Sequence, residues 1–163
     1  MASSPVLLIG ATGMSGSSIG KYFVESGASV RAFLREHQTA ASLGFSPSEI
    51  AQGSMSDLES LKSAMRGVAA VLYFVGTSVP ATSNRDPQIE FDVTVPSLVN
   101  TLRAMEATAT ERIIFPSSGG TIYGQRLTPA TEESECRPMS GYGLGKLLSE
   151  QCIQFYSRTT HIK

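Results

Sequence analysis

A chain of 163 residues, 41% of them hydrophobic, buries roughly two thirds of its unfolded surface on folding, enough for one domain over 1–163 and too little for two. Thirteen Lys and Arg stand against 14 Asp and Glu, and no stretch gathers enough basic side chains to neutralise a row of phosphates, so no nucleic-acid partner is expected. The apolar run 68–75 falls well short of the roughly 20 residues that cross a bilayer, and residues 5–9 lack the basic flank of a signal peptide; a cytoplasmic protein without a membrane segment is expected.

Residues 6–9, 29–34, 68–75 and 112–115 read as strands, with a shorter one at 50–52, and helix-length segments separate them. That order predicts an α/β fold, a doubly wound parallel sheet with right-handed crossovers. In the first crossover, 17–26, Ile19, Tyr22 and Phe23 share one helical face and Gly27 can close the helix. Asp57 reads as the cap of a helix through Met65, with Leu58, Leu61 and Met65 pointing inward. Over 90–107 the apolar positions Val95, Leu98, Val99, Leu102 and Met105 have helical spacing, and Pro96 makes the regular helix begin or bend there. A last helix covers 140–158. Segments 76–86 and 124–138, rich in Ser, Thr and Pro, read as loops leaving the carboxyl ends of strands, where open α/β sheets bind ligands. Glu132, Glu133 and Glu135 in the second loop read as a solvated face with no metal role. Cys136 and Cys152 lack metal spacing and read as free thiols.

Chemistry is concentrated at two places. The first is Gly10-Ala11-Thr12-Gly13-Met14-Ser15-Gly16. Its glycines fit a tight strand-to-helix turn; they also fit a pyrophosphate cradle, because Gly10 follows a strand, Gly13 admits a phosphate and Gly16 opens a helix whose amides favour an anion. Gly10, Thr12, Gly13, Met14, Ser15 and Gly16 are therefore candidate contacts to a dinucleotide. At the end of the second strand, where a carboxylate would accept the ribose hydroxyls of NAD, the chain has Leu34-Arg35. Arg35, with Arg31 as a second candidate, can instead pair with a 2′-phosphate, which favours NADP over NAD. Ser54 and Met55 follow the third strand, where a turn can meet the adenine edge.

The second place is Tyr142-Gly143-Leu144-Gly145-Lys146. Four residues apart on a helix, Tyr142 and Lys146 share a face. A phenol with a pKa of about 10 is a poor base at neutral pH, but a nearby ammonium stabilises its phenolate. A packed tyrosine and a solvated lysine fit the spacing alone; beside the glycine turn it points to a proton carrier, with Lys146 also able to reach the nicotinamide ribose.

With these residues in view, the sequence resembles the short-chain dehydrogenase/reductase superfamily in its extended NAD(P)-dependent epimerase/dehydratase branch, whose members include UDP-glucose 4-epimerase-like enzymes. The resemblance covers nearly the whole chain and rests on the motifs at 10–16 and 142–146, on Tyr73-Phe74-Val75-Gly76 and on the segment 117–124. It implies a three-layer Rossmann fold, with Phe74, Val75 and Gly76 at the cofactor. It also implies Tyr142 as general acid/base, Lys146 as its support, and a Ser or Thr after the fifth strand bonded to the reacting hydroxyl of a nucleotide-sugar. Counting back four from Tyr123, where the family places that hydroxyl, lands on Gly119, so Ser118 and then Thr121 are its candidate replacements, with Ser117 also nearby. Ser54 stands where the family usually has an aspartate near adenine.

In relatives a sixth strand and a C-terminal substrate lobe follow the lysine-bearing helix. This chain ends 17 residues after Lys146, and His161-Ile162-Lys163 would begin that strand. The expectation is a domain that lacks most of the lobe: an oxidoreductase of the epimerase/dehydratase type by family, or a catalytically silent NADP(H)-binding module or truncated product of a longer enzyme. Leu147, Leu148, Ile153 and Phe155 exceed what one sheet face requires; either they complete the core, or they pair two copies, as the resemblance implies a homodimer through helices 90–107 and 140–158.

Overall fold

A computed structural model describes residues 4–76 and 78–163, so residues 1–3 and Thr77, within the expected 76–86 loop, lie outside the described residues. Five strands, β1 (Val6–Ile9), β2 (Val30–Leu34), β3 (Glu49–Gln52), β4 (Ala70–Tyr73) and β5 (Ile113–Ile114), form one parallel sheet in the order β3-β2-β1-β4-β5. Val6 lies level with Val30 and Ala70, and Ile9 with Phe33 and Tyr73, so the carboxyl ends of the three central strands finish together. The chain winds outward from β1 through β2 to β3, then returns to β4 on the other side of β1. This reversal is the switch point at which doubly wound sheets open a crevice.

The helices are α1 (Met14–Glu25), α2 (Leu58–Met65), α3 (Pro80–Ser83), α4 (Val95–Ala107), α5 (Gly119–Ile122) and α6 (Gly141–Thr159). Alternation along the strands assigns the two faces. Leu7, Ile9, Phe33, Val71 and Tyr73 pack with Leu61 and Met65 of α2, Leu98 and Leu102 of α4, and Ile153 of α6. Leu8, Val30, Ala32 and Leu72 pack on the opposite face with Ile19 and Phe23 of α1 and with Phe45. Both faces are covered, as a parallel sheet requires.

The departures from the expected boundaries have local causes. α1 begins at Met14 rather than residue 17, because Gly16 lies inside its first turn and not ahead of it. Pro96 lacks an N–H, so the carbonyl of Asp92 has no regular partner; a π-helical turn over Glu90–Thr94 precedes α4, and the Val95 N–H reaches back to the Glu90 carbonyl. Within the expected 76–86 loop α3 forms a single turn; outside the expected elements α5 forms another and a 3-10 turn forms at Ala40–Ser42. Asp57 caps α2 through the amides of Glu59 and Ser60, as expected. After α6 the chain rejoins the sheet. The Lys163 N–H donates to the Glu111 carbonyl at 2.6 Å, the Ile113 N–H donates to the Lys163 carbonyl at 3.0 Å, and Ile162 is buried in the core. No helix of the described residues is long and apolar enough to cross a membrane.

Candidate functional site

The first wall of the site is backbone. After β1 the chain turns at Gly10 with φ of +88°, and a Cβ there would lie 2.6 Å from the carbonyl carbon and oxygen of Phe74. Any other residue would combine a disfavoured conformation with a clash against main chain. The Gly13 N–H donates to the Gly10 carbonyl at 3.1 Å, and that same carbonyl fills the space a Gly16 side chain would need. Gly13 caps α1 without any side-chain bond, and no acid stands in the first turn. The leading amides of α1 thus have no side-chain cap and no acid within the first turn, which suits an anion.

This turn opens onto a cleft of about 780 Å³ along the carboxyl ends of β1, β2 and β4. Of the sequence candidates, Gly10, Thr12, Gly13, Arg35, Ser54, Met55, Phe74, Val75 and Gly76 line it. Met14, Ser15 and Gly16 form the first turn of α1 and are not among the residues that line the cleft; Gly16 is buried and Met14 is 87% exposed.

Arg31 is not available to a ligand. Its guanidinium pairs with Glu49 at 2.6 Å and donates to the Ala64 and Arg66 carbonyls at 2.7 and 2.8 Å, closing the end of α2. Arg35 is exposed at the cleft.

Among the cleft residues that escape a reading of the sequence, Gln38 and Asn100 tie parts of the cleft together. The Gln38 amide donates to the Thr12 hydroxyl at 3.0 Å and accepts the Arg35 N–H at 3.0 Å, tying the end of β2 to the glycine turn. Asn100 of α4 donates to the Met55 carbonyl at 3.2 Å and lines the cleft beside Met55. Gln38 closes a four-residue turn with Arg35, and that spacing was the only signal available for it.

Across Val75 and Gly76 lies a much smaller pocket, walled also by Ser78, Glu90, Thr94, Tyr142 and Lys146. Ser140 caps α6 by accepting the Gly143 N–H at 3.0 Å, which starts the helix so that Tyr142 and Lys146 fall on this face. Lys146 is 8% exposed. Its ammonium donates to the Pro116 carbonyl at 3.0 Å and stands 4.5 Å from the centroid of Phe115 and 5.8 Å from that of Tyr142. Burial holds the Lys146 ammonium below the usual lysine range, and the charges of Glu90 and Glu150 oppose that shift. Glu90 itself is 1% exposed and accepts the Ser78 hydroxyl. It belongs to a buried polar stripe of Glu90, Thr94, Ser97 and Thr101, whose helical spacing could have revealed it in the sequence.

The hydroxyl candidates are less closely gathered. α5 packs against α6 at Gly143, where an added Cβ would lie 2.7 Å from the Thr121 carbonyl oxygen. The Thr121 hydroxyl donates to the Ser118 carbonyl at 3.2 Å, and neither residue is part of the Tyr142–Lys146 pocket. Ser117 is exposed and Gly119 begins α5. Along α6, Leu147 and Leu148 are half-buried, Ile153 joins the core and Phe155 is 57% exposed. Glu132, Glu133 and Glu135 are exposed, and Glu135 pairs with Arg137 at 2.7 Å. Among the described residues no group of three or more His, Cys, Asp or Glu could hold a metal ion, and both cysteines are free.

A family model described as the NAD dependent epimerase/dehydratase family matches residues 6–163. The chain is 26% identical over 165 residues to the UDP-glucose 4-epimerase of Streptococcus mutans, covering 97% of this chain and 49% of that protein. The solved UDP-glucose 4-epimerase of Thermus thermophilus, in complex with NAD, superposes with a TM-score of 0.86 at 25% identity, covering 98% of this chain and 52% of that one. A short-chain dehydrogenase/reductase superfamily protein from Agrobacterium tumefaciens with bound NAD superposes with a TM-score of 0.79 at 30% identity, covering 97% and 46%. The chain spans about half the length of the relatives it matches from end to end.

Proposed function

The chain belongs to the NAD dependent epimerase/dehydratase family, and on that premise we propose that it binds NADP(H) or NAD(H) in the 780 Å³ cleft and acts as the hydride-transfer domain of an epimerase/dehydratase-type oxidoreductase. One observation carries this: Val75 and Gly76 are walls of both the large cleft and the Tyr142–Lys146 pocket, so a ligand filling the first ends beside the second. The fit to a dinucleotide rests on the uncapped amides of α1 and on the Gly10 cradle, which a Cβ would fill.

A nicotinamide held there would accept a hydride from a hydroxyl-bearing carbon and return it. Everything else falls to the side chains. Gly10, Thr12, Gly13 and the first turn of α1, Met14, Ser15 and Gly16, receive the pyrophosphate. Arg35 takes the adenosine side and favours a 2′-phosphate, while Ser54 and Met55 border the adenine. Phe74, Val75 and Gly76 direct the far end of the ligand toward α6. Tyr142 removes the proton from the substrate hydroxyl and restores it, and Lys146 stabilises the phenolate form. Ser118, with Thr121 next, orients the hydroxyl of a substrate that we place among the nucleotide-sugars. Two copies pair through the outer faces of α4 and α6, where Phe155 is exposed.

A second reading is favoured by one observation. Because the Thr121 hydroxyl is committed to Ser118, the domain could hold the dinucleotide without turning it over.

Separate titrations with NADPH and NADH, followed by cofactor fluorescence beside an assay with UDP-sugars, test both readings. Saturable binding with NADPH tighter than NADH is expected, with Tyr142→Phe binding equally well and losing roughly 10²–10⁴-fold or more of any turnover. Binding with neither bleaching nor epimer formation supports the silent module, and no binding of either dinucleotide rejects both.

A further inference from the structure

Glu90 is nearly dry, and the roles proposed for Tyr142 and Lys146 leave it unused. A carboxylate held out of water is costly unless hydrogen bonds and an opposite charge compensate it. The Ser78 hydroxyl supplies one bond. The opposite charge lies across the small pocket, where Lys146 shares the walls of Val75, Gly76, Thr94 and Tyr142 with it. The acids that act on Lys146 are Glu90, from the π-helical turn, and Glu150, one turn along α6 itself; Tyr142 is the other titratable group in the pocket. Of the two acids only Glu90 is fully buried, where low dielectric strengthens its field.

The seat for this carboxylate is built into α6. A Cβ at Gly145 would lie 2.5 Å from Glu90 Oε2 and 3.0 Å from its carboxyl carbon, so the acid occupies the space that an ordinary residue beside Lys146 would need. Gly145 is the price of bringing a carboxylate flush against the helix, since glycine weakens a helix interior by roughly 1 kcal/mol relative to alanine.

We propose that Glu90 is a positioning residue for this site: seated on Gly145 and held by Ser78, it is the buried counter-charge that keeps the Lys146 ammonium charged and in place beside Tyr142. The inference rests on the proton-transfer role proposed above for that pair. Without the Glu90 charge, Lys146 keeps its desolvation and only the more exposed Glu150 to oppose it. Its proton then leaves at lower pH, and an uncharged lysine no longer stabilises a phenolate.

The test is a pH titration of Lys146 by NMR in the cofactor-free chain grown with carbon-13-labelled lysine, the signal assigned by its loss in Lys146→Arg. Glu90→Gln preserves shape and the acceptor for Ser78 while removing the charge. Its Lys146 midpoint is expected to move to lower pH, with the fold retained by circular dichroism. Gly145→Ala keeps the charge and displaces the carboxylate, and a smaller shift in the same direction is expected. An unchanged midpoint in Glu90→Gln overturns the proposal. Should that variant not fold, Gly145→Ala decides by the same criterion. An NADPH titration of the wild-type sample separates the two ideas: failure to bind sinks the cofactor reading and leaves the Lys146 shift to be judged by itself.

Discussion

The two ends of the site are built on opposite principles. At the end proposed for the phosphates the groups on offer are main-chain amides, with Gly10 packed against the Phe74 main chain and Gly16 against the Gly10 carbonyl. At the end proposed for proton transfer they are two ionisable side chains of opposite sign, Glu90 and Lys146, both removed from water in a pocket where Lys146 donates to the Pro116 carbonyl. Backbone geometry is rigid and independent of pH, whereas buried charge is adjustable and costly. A site that grips one part of a ligand and moves a proton at another has a use for each.

If the phosphate end is set by main chain, its weakest point to substitution is Gly10. Gly10→Ala forces a side chain into φ of +88° and within 2.6 Å of Phe74 main chain, contacts that no rotamer change relieves. A loss of about 3 kcal/mol or more is expected from denaturant unfolding, with no measurable dinucleotide binding by the protein that remains folded. Wild-type stability in Gly10→Ala would mean the turn relaxes freely and would erase the contrast between the ends.

Arg35 is the one charged side chain assigned to the phosphate end, and its removal asks how far backbone suffices. For Arg35→Ser we expect about 10- to 100-fold weaker NADP binding by calorimetry, the value of charge-assisted hydrogen bonds, with NAD binding nearly unchanged. Equal losses for both cofactors would assign Arg35 to shaping the β2 turn that Gln38 holds against Thr12, and not to reading a 2′-phosphate.

The same contrast explains what the sequence discloses. The β1-α1-β2 unit, the Asp57 cap and the cleft-lining glycines are legible because each depends on residues close in the chain. The Tyr142–Lys146 pair is legible as a spacing on one helix. Its surroundings are not: Pro116 lies 30 residues from Lys146, and Glu90 meets Gly145 only once α4 and α6 have packed together. Arg31 shows the converse error. It stood beside Arg35 as a second candidate for a 2′-phosphate, but packing gives it to Glu49 and the carbonyls of Ala64 and Arg66. Pro96 announced a break in the helix, yet sequence alone could not say that the break would be a π turn that carries an acid into the site.

The smallest expected effect probes whether the proton end tolerates polar groups at a cost to stability. Tyr73 closes β4 with 1% exposure, its ring 6.2 Å from that of Phe115, over which Lys146 sits, and its hydroxyl has no hydrogen-bond partner among the described residues. Burial pushes the phenol far above its ordinary range. Because the folded-state pKa is raised, this residue's contribution to stability is whole below about pH 10 and falls as pH rises further, where the unfolded chain releases the proton and the folded chain keeps it. Tyr73→Phe removes both the orphaned hydroxyl and that alkaline loss. It should gain about 1 kcal/mol near neutral pH, read as a melting temperature higher by roughly 2–4 °C. The gain should widen above about pH 10, since Lys146, Cys152 and Tyr156 titrate alike in both chains and cancel in the difference. A variant less stable than wild type would show that the hydroxyl is satisfied, and that the polar groups of this end are better compensated than their burial implies.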